Sequence, residues 1–75
     1  MSTLDTLAPG ASARVTALLG SGPLHQRLLE MGLFEGTDVE VVRFAPLGDP
    51  MEILVQGYHL SLRKSEAALV EVEVL

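Results

Sequence analysis

The groups in these 75 residues that could do chemistry are two histidines, ten carboxylates and five cationic side chains. His25 and His59 invite a metal reading, because imidazole with carboxylate is a donor set that suits ferrous iron. They share no i, i+4 spacing, however, and no acidic residue converges on both, so no metal site is assigned. Two surface histidines are expected, with weak Fe2+ or Zn2+ binding between molecules the most they would support and no resident cofactor. Asp49 and Glu52 resemble an acid–base couple, but each has another task in the elements derived below. Arg27 is a cation of the kind that neutralises charge on a transferring phosphoryl group. The plainer reading is that it pairs with Glu30 at i, i+3 or covers the apolar stripe of a helix. No Ser/His/Asp arrangement, glycine-rich phosphate loop or nucleotide motif is present, so an enzyme is not expected.

Composition narrows the partners. The formal charge is −5, and the five cations (Arg14, Arg27, Arg43, Arg63, Lys64) are scattered along the chain. Gripping a phosphate backbone needs a basic stripe, so nucleic acid is excluded as a partner, and anionic membrane surfaces are disfavoured for the same reason. Without cysteine there is neither a disulfide nor a thiolate metal site. No apolar run approaches the ~20 residues that span a bilayer, so no membrane insertion is expected. The opening "MSTLDTLAPG" lacks the basic and apolar regions of a secretory signal, which makes the cytoplasm the expected location. The 75 residues are expected to form a single domain, 1–75, around a small aliphatic core, since Phe34, Phe44 and Tyr58 are the only aromatics.

The elements follow from apolar spacing. Leu4 and Leu7 are anchors ahead of Pro9-Gly10, which suit the centre of a type II turn. A first strand is predicted from Ala13 to Leu19, with Val15 inside and Arg14 and Thr16 outside. Pro23 then fits the first turn of a helix. Leu24, Leu28 and Met31 make its stripe, Gly32 lies just past its end, and Leu33 packs back over the last turn. Gly36 marks a turn before a second strand, "DVEVVRFA". There Val39 and Val41 lie on one face and Val42 and Phe44 on the other, a conflict that a bulge near Val41 and Val42 would repair. Gly57 is expected to open a two-residue type II′ turn with Tyr58. That register sets Val55 opposite Leu60, Ile53 opposite Leu62 and Glu52 opposite Arg63. Ser65 is expected to cap one helical turn through Ala68. Val70, Val72 and Val74 alternate with Glu71 and Glu73 as a last strand. Five strands, one main helix and a short helical turn before the last strand define a mainly β fold whose edges are expected to close into a small barrel.

Between the second and third strands, "APLGDP" places Ala45 and Asp49 before prolines, which pushes both to extended conformations. Pro46, Gly48, Asp49 and Pro50 thus form a rigid turn, with the Asp49 carboxylate bound to nearby backbone N–H groups. This run belongs to a wider pattern. Arg27-Leu28 through Gly32-Leu33, Gly36, Ala45 to Pro50, Gly57-Tyr58, Leu62-Arg63-Lys64 and Glu66-Ala67, together with the opening "LAPGASARV", resemble the FeoA family of ferrous iron transport proteins. The resemblance implies an SH3-like barrel, similar to the C-terminal domain of iron-dependent repressors of the diphtheria toxin repressor type. It also implies a cytoplasmic, non-enzymatic protein that binds and modulates the membrane ferrous transporter FeoB. Two alternatives accompany that implication: a metal-responsive module that binds Fe2+, and an activator of the transporter's GTP-binding domain acting through Arg27.

For a binding module, the residues of interest are apolar ones that the strand pattern leaves outside. Leu47 at the loop tip, with Val42, Phe44 and Leu54, would form one apolar patch if the bulge does not bury them. The helix face carrying His25, Gln26 and Arg27 is the second candidate surface. Aromatics are too few to line a groove for proline-rich ligands, so a helix or a β-edge is the expected ligand. Exposed edge strands leave room for a homodimer.

Overall fold

Strand alternation dictates which side chains meet. Ala13 and Val15, Val39 and Val41, and Met51, Ile53 and Val55 all turn to one side and are buried there. The computed structural model describes residues 2–75. In chain order the elements are β1 (Ser2–Thr3), a 3-10 turn (Leu4–Thr6), β2 (Ser12–Leu18), α1 (Pro23–Glu30), β3 (Asp38–Phe44), β4 (Met51–Val55), β5 (Tyr58–Leu62), α2 (Lys64–Ala67) and β6 (Val70–Val74). The strands form one sheet in the order β1-β6-β2-β3-β4-β5. Every pairing in it is antiparallel. The mainly β expectation holds, with α1 after the first predicted strand and α2 before the last.

Two corrections concern the sheet. It has six strands, because Ser2 and Thr3 pair with Val72 and Glu71. It is also not closed: among the described residues β1 pairs only with β6, and β5 only with β4. Curvature comes from single extra residues. Val41 stands opposite Ile53 and Arg43 opposite Glu52, so Val42 is the bulged residue anticipated from the phase conflict. A second bulge lies at Thr16, between Val15 opposite Val72 and Ala17 opposite Glu71. Its hydroxyl donates to the Glu71 carbonyl at 3.1 Å. Each bulge locally increases twist and bends its strand, which coils the sheet around its apolar side.

Among the described residues the buried core holds no aromatic side chain. Leu4, Val15, Leu28, Leu33, Val41, Met51, Ile53, Val55, Leu62 and Val70 are its largest fully buried side chains. Each contributes on the order of 1.5–3 kcal/mol by leaving water. The expected helix stripe is narrower than its spacing suggests. Leu28 is buried and Met31 packs against the core, while Leu24 is exposed in the first turn.

Gly32 ends α1 as expected, at φ +93°. Its N–H donates to the Leu29 carbonyl at 3.0 Å, and the Leu33 N–H reaches the Leu28 carbonyl at 3.2 Å. That is a Schellman motif, closed by contact between two buried leucines. Tyr58 completes it: its hydroxyl donates to the Met31 carbonyl at 2.6 Å. A Cβ on Gly32 would lie 2.6 Å from that hydroxyl oxygen.

The hairpin register differs from expectation. Gln56 at φ +48° and Gly57 at φ +90° are the two loop residues, as in a type I′ turn, and Tyr58 is the first residue of β5. Val55 therefore faces Tyr58, Ile53 faces Leu60 and Met51 faces Leu62. The slip moves the pairing by two positions, which keeps the same face inward. It also sets Met51, absent from the expected apolar pairs, against Leu62.

These contacts predict that Gly32→Ala lowers stability by about 1–3 kcal/mol, from a left-handed φ plus the collision with Tyr58. Tyr58→Phe alone removes one hydrogen bond and lowers it by about 1 kcal/mol. In the Gly32→Ala background the Tyr58→Phe loss shrinks or reverses, because the colliding atom is gone. Urea denaturation of the four proteins checks that coupling.

Candidate functional site

The loop from Ala45 to Pro50 is fastened from three directions. The Ala45 N–H donates to the Pro50 carbonyl at 2.9 Å, and the Gly48 N–H to the Ala45 carbonyl at 2.7 Å. The Asp49–Pro50 peptide bond is cis. The Asp49 carboxylate does bind a backbone N–H, but one outside its own turn: the Lys64 N–H at 2.9 Å, at the start of α2. Lys64 in turn holds its ammonium 4.9 Å from the centre of the Phe44 ring. On this fastened base Leu47 is 98% exposed. Because its backbone is already ordered, engaging a partner there loses little conformational entropy.

Glu66 is the second fixed point. Its carboxylate accepts the Arg63 N–H at 2.9 Å and lies 3.5 Å from the Arg27 guanidinium. Two corrections follow: α2 begins on Arg63 and Glu66 with no cap from Ser65, and Arg27 pairs with Glu66 across two helices instead of with Glu30. The side chains are unequally placed, Glu66 being 7% exposed and Arg27 62%. Arg27 thus ties α1 to α2, and Lys64 and Asp49 tie α2 to the loop. Arg27, Phe44 and Leu47 stand on elements that α2 joins.

Leu54 is not among them. Phe44 lies opposite Met51 and so turns to the inner side, where it packs on the core, whereas Leu54 alternates with buried Ile53 and Val55 and turns outward. The single patch of Val42, Phe44, Leu47 and Leu54 is therefore split between two faces. The histidines differ from each other as well. His25 is only partly exposed, and its Nδ1 is buried without a hydrogen-bond partner, so it is not a freely solvated side chain. His59 is exposed on β5, 3.6 Å from Glu52, which also lies 3.8 Å from Arg43. Glu52 therefore has Arg43 and His59 as neighbours and not the expected Arg63. Among the described residues no three His, Asp or Glu side chains converge as metal ligands. Nor is any helix long and apolar enough to cross a membrane.

Pro46, Gly48, Asp49 and Pro50 stand in the loop, and Gly32 and Gly57 have the turn roles described. Gly36 sits between α1 and β3, where its N–H reaches the Val15 carbonyl at 2.7 Å. What the spacing did not reveal is a surface on the opposite side, where Phe34 (51% exposed) and Leu75 (57% exposed) border an open groove with Leu54. Only the pairing of four strands brings those positions together.

A coiled antiparallel sheet with a helix after β2 and a single helical turn before β6 is an SH3-like arrangement. The chain belongs to the FeoA family: the family model described as the FeoA domain matches residues 2–74. Iron(II) transport protein A of Clostridium thermocellum superposes with a TM-score of 0.94 at 44% identity, covering 99% of this chain and 46% of that one. The zinc complex of Stenotrophomonas maltophilia FeoA, an SH3 domain protein, superposes at 0.85 with 31% identity, covering 97% of this chain and 91% of that one. A fusion of Fe(2+) transport protein A with the Fe(2+) transporter FeoB from Porphyromonas gingivalis is 39% identical over 72 residues. Those residues are 96% of this chain and only 8% of the fusion. Likeness to T. acidophilum IdeR, at 22% identity and a TM-score of 0.84 over 97% of this chain and 33% of that one, is one of fold alone.

The Glu66–Arg27 pair predicts unequal effects from its two ends. Arg27→Ala removes an exposed partner and lowers stability by less than about 1 kcal/mol. Glu66→Ala also strips the acceptor from the partly buried Arg63 N–H and lowers it by about 1–2 kcal/mol. Chemical denaturation of both variants measures the difference.

Proposed function

We propose that this chain is a non-catalytic accessory module of ferrous iron transport, acting by protein contact with the cytosolic side of the transporter FeoB. The observation that carries the reading is the Porphyromonas gingivalis fusion, in which a domain 39% identical over 72 residues shares one polypeptide with FeoB. A covalent link raises the effective concentration of two modules that bind each other, to the order of millimolar for a short flexible linker. Such a link would also suit a domain that works beside the transporter without chemistry of its own. The loop offers the matching feature in this chain, a fully exposed leucine on a backbone fastened at Asp49, Ala45 and Gly48. A GTPase-activator reading has only the exposed Arg27 guanidinium in its favour, so we do not adopt it.

A second reading is supported by the zinc complex of the Stenotrophomonas maltophilia protein: metal-responsive self-association. Here it would draw on His25 or His59 with ligands from another copy. It predicts tighter association with Fe2+ or Zn2+ in sedimentation experiments, lost in His25→Ala or His59→Ala.

The direct test is titration of isotope-labelled protein with the soluble GTP-binding domain of FeoB, following backbone amide shifts. The expected outcome is localised change at Ala45–Pro50, α1 and α2, with Leu47→Asp weakening binding about tenfold or more at unchanged stability. Absence of any shift with the domain in large excess overturns docking on that domain.

A further inference from the structure

The groove opposite the loop is not used by that reading. It measures about 800 Å3 and is open to solvent. Its floor is the outer face of the sheet where β2, β3 and β4 pass side by side. Ser12 stands opposite Glu40, and Glu40 opposite Leu54. The Leu75 N–H donates to the Ser12 carbonyl at 2.9 Å, which extends the row to the residue that follows β6. The sequence across the sheet is thus Leu75, Ser12, Glu40, Leu54: apolar at both ends, acidic between. Strands lie about 4.8 Å apart, so the two leucines are separated by roughly 14 Å. Phe34 and Glu35, in the turn before β3, make the wall.

Charge selects what can lie there. Glu35, Asp38 and Glu40 line the groove, and no lysine or arginine does. Asp38 is taken by the Arg14 guanidinium at 2.8 Å. That hydrogen bond, with the carboxylate charge behind it, holds the Arg14 pKa above its ordinary value. Among the described residues neither Glu35 nor Glu40 has a cation within ion-pair distance. A nucleic acid or a second copy of this acidic chain would set like charge against like. A bare cation lacks three converging ligands. The groove is open to solvent, whereas small-ligand pockets bury most of their guest.

We propose that this groove docks a basic, apolar segment of a partner protein: an extended peptide with two apolar side chains about four residues apart and Lys or Arg between and beside them. An extended chain rises about 3.3 Å per residue, so that spacing matches the distance between Leu75 and Leu54. The cations of the segment then meet Glu40 in the floor and Glu35 at the wall. This assignment does not depend on docking to FeoB, because it concerns a different face of the molecule.

The test uses the whole chain and a capped synthetic peptide with two leucines four positions apart, lysines between and beside them, and serine elsewhere. The expected result is saturable amide shifts confined to Phe34–Glu40, Leu54–Gly57 and Leu75, with affinity falling as salt rises. Glu40→Lys and Glu35→Lys are each expected to weaken binding about tenfold. Glu35 lies in an exposed turn, so its variant reports even if the strand substitution disturbs folding. Control peptides with glutamate for lysine, or serine for leucine, are expected not to bind. The proposal is overturned by no binding at millimolar peptide, by shifts spread over every acidic surface, by equal binding of the leucine-free peptide, or by indifference to both charge reversals.

Discussion

The two longest strands must each keep an apolar face turned inward while bending far enough to wrap a core with no aromatic at its centre. Neither can do so in strict alternation. In β2 the inward positions are Ala13, Val15 and then Leu18, and in β3 they are Val39, Val41 and then Phe44, the same spacing twice. The extra residue, Thr16 in one and Val42 in the other, absorbs the change of parity and supplies the bend. Without it every side chain beyond the bulge would turn to the wrong face. Leu18 would leave its position opposite Val70, and Phe44 its position opposite Met51, with the ring that Lys64 covers. The placement of the loop and of α2 descends from those two residues.

Around that sheet the polar groups act as fasteners between elements distant in sequence. Asp49 and Glu66 each accept a backbone N–H at the start of α2, from Lys64 and Arg63 respectively. One helical turn thereby joins the long helix, through Arg27, to the proline loop. A four-residue helix has almost no stability of its own, since its nucleus fixes several residues for very few hydrogen bonds. Its persistence here is tertiary, and it makes the side of the molecule that presents Leu47 a single mechanical unit.

Much of this was legible in the chain. The bulge at Val42 follows from apolar residues falling on both parities of one strand, and the end of α1 from Gly32 followed by Leu33. The bulge at Thr16 left no such trace, because Ala17, Leu18 and Leu19 satisfy either phase. Gly57 was readable as a turn residue but not as the second one. A type I′ turn asks Gln56 to adopt a positive φ, which a non-glycine residue seldom does. Strand β1 is two residues of backbone pairing, too short for any side-chain period. The exposure of Leu47 was evident from the prolines and glycine around it. The separation of Leu54 from Phe44, and the meeting of Leu54 with Phe34 and Leu75, depend on register across four strands, which no local window contains. Membership of the FeoA family was carried by the pattern of motifs along the chain, and the SH3-like fold it implied is found with its sheet open.

The ends of the sheet are unlike each other. Among the described residues one is β5, five residues long with no strand on its outer side, and the other is β1, Ser2–Thr3. Head-to-tail addition, β5 of one molecule on β1 of the next, would match five residues against the two described in β1. Two β5 strands meeting about a twofold axis could match along their whole length, and the joined sheet would then expose only a short β1 at either end. Among the described residues, edge pairing is thus most extensive where β5 meets β5, a geometry that closes on a pair because it leaves no free β5 for a third molecule.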